Sequence, residues 1–195
     1  QQLTPPTVHL PVSGSPFTEA AARTVTVKLS AADTDLLLKT APAAYNTRIN
    51  DVLLTALART LLLQAGANSG SIRIDIEAHG RESVGNLSID LSRTVGWFTT
   101  TYPVRLTLSN LADESALKSV KEQLRRIPDS GIGYGLLRYL GDTKTRTALS
   151  EGSPEILFNY LGQSFAGPLA LVETDLGTLR SPNSPRAYPL EINAQ

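Results

Sequence analysis

Residues Ser71 to His79 alternate without a break: Ile72, Ile74, Ile76 and Ala78 fall on one side, Arg73, Asp75, Glu77 and His79 on the other. A period of two is that of a β-strand. So one-sided a pattern requires a sheet with one face buried in a core and the other presenting a row of titratable groups. The buried face needs a cover, and the segment from Ile49 to about Gln64 supplies one. Leu53, Leu54, Leu57, Leu61, Leu62 and Leu63 make it apolar almost all round, the pattern of a buried helix packed on a sheet. Asn50 or Thr47 is expected to cap its start and Gly66 to close it.

Other elements follow from the same periodicities. Arg23 to Leu29 alternates, with Val25, Val27 and Leu29 on one face, and is expected to be a strand. Ser30, with Asp33 three residues on, should cap a helix that runs to about Thr40 and stops at Pro42. Arg81 to Ser92 reads as a loop and Val95 to Leu108 as a second long strand. Asp113 to Arg126 has helical spacing of Leu117, Val120 and Leu124 and is stopped by Pro128. A glycine-rich turn, Asp129 to Gly135, leads to short helices through Leu140 and near Thr143 to Leu149. Pro154 to Gly162 is expected to be a strand with Ile156, Phe158 and Tyr160 on one face, and the chain from Gly167 on reads as loop. Pro5, Pro6, Pro11 and Pro16 mark residues 1–19 as a linker, leaving 20–195 as the folded unit. Alternating strands and helices make the class α/β or α+β, with a mixed sheet flanked by helices.

Composition narrows the function. Eighteen basic residues balance eighteen acidic ones, so no charge bias favours nucleic acid or an anionic membrane. There is no apolar run long enough to span a bilayer and no visible signal peptide. Cysteine is absent, which rules out disulfides, thiolate metal sites and a cysteine nucleophile, and fits a cytoplasmic setting. The only two histidines are His9 and His79, and no spacing of His, Asp or Glu suggests a metal site. Gly131 to Gly135 lacks the spacing of a dinucleotide loop and follows a helix, so it is read as a tight turn. On strand parity alone, Glu77 is either an ion-paired carboxylate, with Arg73 or Arg93, or an acid/base group.

Five segments, in order, carry a family resemblance. They are Asn50 to Leu57 (NDVLLTAL), Glu77 to Glu82 (EAHGRE), Ser92 to Thr99 (SRTVGWFT) with Tyr102-Pro103, Ile127-Pro128 with Gly131 to Gly135 (GIGYG), and Phe158 to Gln163 (FNYLGQ). Leu190 to Ala194 is similar to a further late segment. Together they resemble the epimerisation domains of non-ribosomal peptide synthetases, within the condensation-domain superfamily. Ala78 departs from the glycine that the family prefers.

The resemblance implies the C-terminal lobe of a two-lobed, chloramphenicol-acetyltransferase-like fold. The N-terminal lobe, with its paired histidines, would lie outside this chain. It implies a substrate carried on the 4'-phosphopantetheine of a peptidyl carrier domain, with no cofactor bound directly. Epimerisation removes a Cα proton from a thioester-bound residue and returns one to the other face, which calls for acid/base groups and enolate stabilisation. The resemblance assigns Glu77 and Tyr160 to that chemistry, while Tyr160, on the same face as Phe158, reads equally as a core aromatic. It gives His79, Arg93 and Asn159 substrate-binding or supporting places, with Arg93 expected to fix the loop through Glu82 or Asp90. Trp97 and Phe98 are expected to pack. Two other readings remain open, peptide-bond condensation and a non-catalytic scaffold that docks a carrier domain.

Overall fold

The computed structural model describes residues 6–12, 17–82, 90–91, 93–150, 152, 154–162, 177 and 180–195. In chain order the elements are α1 (Ala31–Asp35), a π-helical turn (Leu36–Thr40), α2 (Ala41–Tyr45), α3 (Ile49–Gln64), β1 (Gly70–Ala78), β2 (Thr100–Leu108), α4 (Asp113–Arg125), α5 (Gly133–Leu140), α6 (Thr143–Ser150), β3 (Ile156–Tyr160) and β4 (Leu190–Ala194). The four strands form one mixed sheet in the order β2-β1-β3-β4. β1 pairs antiparallel with β2 and parallel with β3, and β3 pairs parallel with β4. No helix among the described residues is long and apolar enough to cross a membrane.

The alternation in β1 does what its sequence requires. Ile72, Ile74 and Ile76 are buried with Val104, Leu106 and Leu108 of β2 and Ile156 and Phe158 of β3. Leu54, Ala58, Leu61 and Leu62 of α3 and Ala116 and Val120 of α4 close this core from one side. Each fully buried Leu or Ile contributes roughly 1.5–3 kcal/mol. Exposed ion pairs such as Lys118–Glu114, at about 0–1 kcal/mol each, are minor beside that.

α3 is capped between the two expected positions, one residue after Thr47 and two before Asn50. Arg48 is the N-cap, and its backbone N–H donates to the Asp51 carboxylate at 2.7 Å. Gly66 closes the helix as expected, at φ +68°, with Gly66 N–H donating to Leu63 O and Ala67 N–H to Leu62 O. Pro42 does not stop the preceding helix. The wider π-helical turn before it relieves the clash that its ring would make in a regular helix, and the chain continues to Asn46, which ends it in the left-handed region.

Three expectations fail because pairing depends on neighbours. Arg23 to Leu29 forms no strand. No described strand runs beside it to complete a ladder, and Val25 and Val27 are left 85% and 82% exposed. The second strand begins at Thr100, not Val95, because only from Thr100 does β1 offer register partners. The chain beyond Gly167 is not all loop: Leu190–Ala194 pairs along the whole of β3. Most of the expected loop Arg81 to Ser92, and residue Gln163, lie outside the described residues.

Within the proline-rich start, Val8 N–H donates to Ser71 O and Ser71 N–H to Pro6 O, so this stretch lies against the beginning of β1. Leu10 N–H and His9 Nδ1 both meet the Glu155 carboxylate, at 2.7 and 3.1 Å. Phe17 to Ala20 runs beside residues 182–186, where Glu19 bridges Arg180 and Arg186 and Arg186 reaches on to Glu191 of β4. Burial opposes ionisation of Glu19, but its two arginine partners outweigh this and hold its carboxyl below the ordinary value.

Candidate active site on the polar face of the sheet

The face of β1 opposite the core is where the titratable row lies. Register defines its neighbours. Glu77 is the Cα partner of Thr101 on β2 and of Asn159 on β3, and Asn159 is in turn the partner of Asn193 on β4. Residues paired in register project from the same side of a sheet. Thr101, Glu77, Asn159 and Asn193 therefore form one row across four strands: a hydroxyl, a carboxylate and two carboxamides. Glu77 and Asn159 are half-buried. A carboxylate between a hydroxyl and a carboxamide, on a face apart from the core, is equipped to exchange a proton while its neighbours orient what it acts on.

Tyr160 is not in this row. It shares its parity with Phe158, which pairs with Ile76, and its ring packs against the margin of the core. The structure thus brings Glu77 together with Asn159 and sets Tyr160 on the other side of β3.

His79 lies just past the end of β1 and turns to the loop. Its Nδ1 accepts from Arg81 N–H at 3.0 Å, so Nε2 carries the proton and faces Glu82 Oε1 at 3.3 Å. Arg93 is exposed. Arg81 donates to Leu91 O and Gly96 O and stacks over Phe98 with its guanidinium 4.6 Å from the ring centre. Trp97, expected to pack, is 89% exposed, because no described element covers the loop on that side. Gly80 makes the return of the chain possible. It sits at φ +63°, and a Cβ there would fall 1.6 Å from Phe98 O.

One pleat before Glu77 is a residue that sequence reasoning includes in the row but does not single out. Asp75 is only 9% exposed, and Tyr188 donates to its Oδ2 at 2.7 Å. Burial raises the Asp75 pKa, and the Tyr188 hydrogen bond, Arg73 and Arg138 offset this only in part. Burial, reinforced by the Asp75 carboxylate, holds the Tyr188 phenol far above its ordinary value. The burial of Asp75 cannot be read from a period of two, and Tyr188, 113 residues away, gives no local signal. Among the described residues no group of three or more His, Cys, Asp or Glu side chains could hold a metal.

This arrangement has relatives. The condensation-domain family model matches residues 1–195. A linear gramicidin synthase from Brevibacillus parabrevis is 52% identical over 149 residues, 75% of this chain and 3% of that protein. Chondramide synthase of Chondromyces crocatus is 43% identical over 186 residues, 90% of this chain and 4% of that protein. The chain therefore spans only a few hundredths of the length of these relatives. Among solved structures, the epimerization domain from the third module of tyrocidine synthetase B superposes with a TM-score of 0.79 at 37% identity, covering 99% of this chain and 43% of that one. The X-domain from teicoplanin biosynthesis, at 20% identity and a TM-score of 0.54, covers 82% of this chain and 33% of its own and shares the fold. A sheet with α3 and α4 on one face and the Glu77 row on the other, matched along its whole length by the family model, belongs to the condensation-domain family of non-ribosomal peptide synthetases.

Proposed function

We propose that the Glu77 row forms one wall of a site that epimerises the Cα of an aminoacyl or peptidyl thioester held on the phosphopantetheine arm of a carrier domain. Glu77 serves as one acid/base, taking the Cα proton or returning one to the opposite face. A histidine of the N-terminal lobe, which the family resemblance implies, serves as the other. Asn159 and Thr101 flank the carboxylate and orient the thioester. Tyr160 anchors the end of β3 from the core side and so supports Asn159.

The observation that carries this reading is the placement of Glu77 in register between Thr101 and Asn159. The likeness to an epimerization domain adds weight. The test is solvent-deuterium exchange at Cα of a carrier-loaded substrate by the complete two-lobed domain. General acid–base groups contribute about 10²–10⁴-fold. Glu77→Gln is expected to slow exchange by about 10²-fold or more, and undiminished exchange would overturn the assignment.

A second reading, peptide-bond condensation, is favoured by the family model itself, which is that of the condensation domain. Dipeptide formed from loaded donor and acceptor carriers, without Cα exchange, would select it.

A further inference from the structure

On the same face of the sheet as Glu77 lies a cavity of ≈ 320 Å³, walled by β1 and β2 on one side and by α5 and α6 on the other. This size falls within the range of small-molecule sites, about 300–1,000 Å³. Thr101 lines it, and Thr101 is the register partner of Glu77, so the cavity abuts the Glu77 row.

Its polar wall is held in place by the fold. Asp75 is buried and tied to Tyr188. Arg138 Nη1 donates to Leu149 O at 2.6 Å. Arg73 lies over Gly152, where a Cβ would come within 2.6 Å of its Nη1. Both guanidiniums line the cavity with Tyr134 beside them, and among the described residues neither forms an ion pair. Two arginines against one carboxylate leave the lining with a net positive charge. Each arginine carries five N–H donors in a fixed fork, of which Arg138 spends one on Leu149 O.

We propose that this cavity receives the side chain of the residue presented to Glu77, and that Arg73 and Arg138 select side chains ending in a hydrogen-bond acceptor, a carboxamide or carboxylate. The proposal rests on the reading that Glu77 acts at the substrate Cα. Two residues along a strand advance about 6.8 Å. An extended Gln or Glu side chain with a hydrogen bond of about 2.9 Å at its end spans that distance from a Cα placed at Glu77, toward the cavity that Asp75, Arg73 and Arg138 line together. An apolar side chain would cover the arginine donors without pairing them, which is where discrimination arises.

The test measures binding, not turnover. The probes are N-acetylcysteamine thioesters of acetyl-glutamine and acetyl-leucine, titrated calorimetrically into the complete two-lobed domain. The glutamine probe is expected to bind about tenfold more tightly, equivalent to about 1.4 kcal/mol. That preference should disappear in Arg138→Ala and in Arg73→Gln, and persist in Glu77→Gln. Arg138 also ties α5 to α6, so thermal unfolding of Arg138→Ala is followed in parallel; if that variant is unfolded, Arg73→Gln gives the decision. Equal or undetectable binding of both probes, or a preference that survives loss of either arginine in a folded domain, would overturn the proposal. Lost Cα exchange in Glu77→Gln without any probe preference would sink the cavity and leave the catalytic reading. Undiminished exchange with the preference intact would do the reverse.

Discussion

Asp75 and Gly80 are where single residues decide most. At Gly80 the backbone is left-handed and touches the Phe98 carbonyl, so the family-like EAHGRE segment needs glycine for geometry as much as for any chemistry. Asp75 makes a pH prediction. Folding raises its pKa above the ordinary 3.8, so the folded chain holds this proton more tightly than the unfolded one. Its favourable contribution is therefore fully present below that ordinary value and is lost as pH rises through the raised one. Asp75→Asn keeps an oxygen to accept from Tyr188 but cannot ionise. Denaturant unfolding at a series of pH values is expected to show the stability difference shifting in favour of the variant as pH rises from about 4. A difference that is flat with pH, or that shifts the other way, would contradict the burial argument.

At the scale of elements, sequence patterning succeeds where one face is buried. α3 and β1 are legible because their apolar positions repeat with the period of the backbone and both end in the same core. Leu62 tests the coupling, being fully buried between α3 and the sheet. Leu62→Ala is expected to cost about 2–5 kcal/mol in chemical denaturation, with the midpoint moving and the slope unchanged. The same reasoning misreads Arg23 to Leu29, whose alternation is as clean as that of β1. A pattern states which side could be buried; a partner strand decides whether it is. β4 shows the converse, a weakly patterned segment made into a strand by β3. Pro42 reads as a stop, but a π-helical turn absorbs it.

Across the whole molecule the sheet order governs what the site can be. β1 and β3 are 78 residues apart in chain order at Ala78 and Ile156, yet they lie parallel and place Glu77 beside Asn159. The polar face they share has α5, α6 and Tyr188 around Asp75, while the chain matches only 43% of the length of its epimerization-domain neighbour. With only two histidines, neither of them in the Glu77 row, the second acid/base of the proposed reaction is not supplied here. The 195-residue chain by itself is therefore expected to give no Cα exchange on a carrier-loaded substrate, and the two-lobed domain is expected to give it. Mass spectrometry of the recovered substrate after incubation in D₂O reads the outcome. Deuterium incorporation by the chain alone would show that Glu77 needs no partner from another lobe.

Local order along the chain is enough to dictate that a strand buries Ile72, Ile74 and Ile76 and turns Glu77 away from the core, that α3 covers that strand, and that the chain resembles an epimerisation domain. Each of these rests on periodicity or on short ordered motifs, which are readable residue by residue. Folding in three dimensions adds that Glu77 neighbours Asn159 and Thr101 and not Tyr160, that Arg81 reaches Leu91, Gly96 and Phe98, and that Asp75 is buried against Tyr188. Those facts depend on the register between strands far apart in sequence and on which elements close over the sheet.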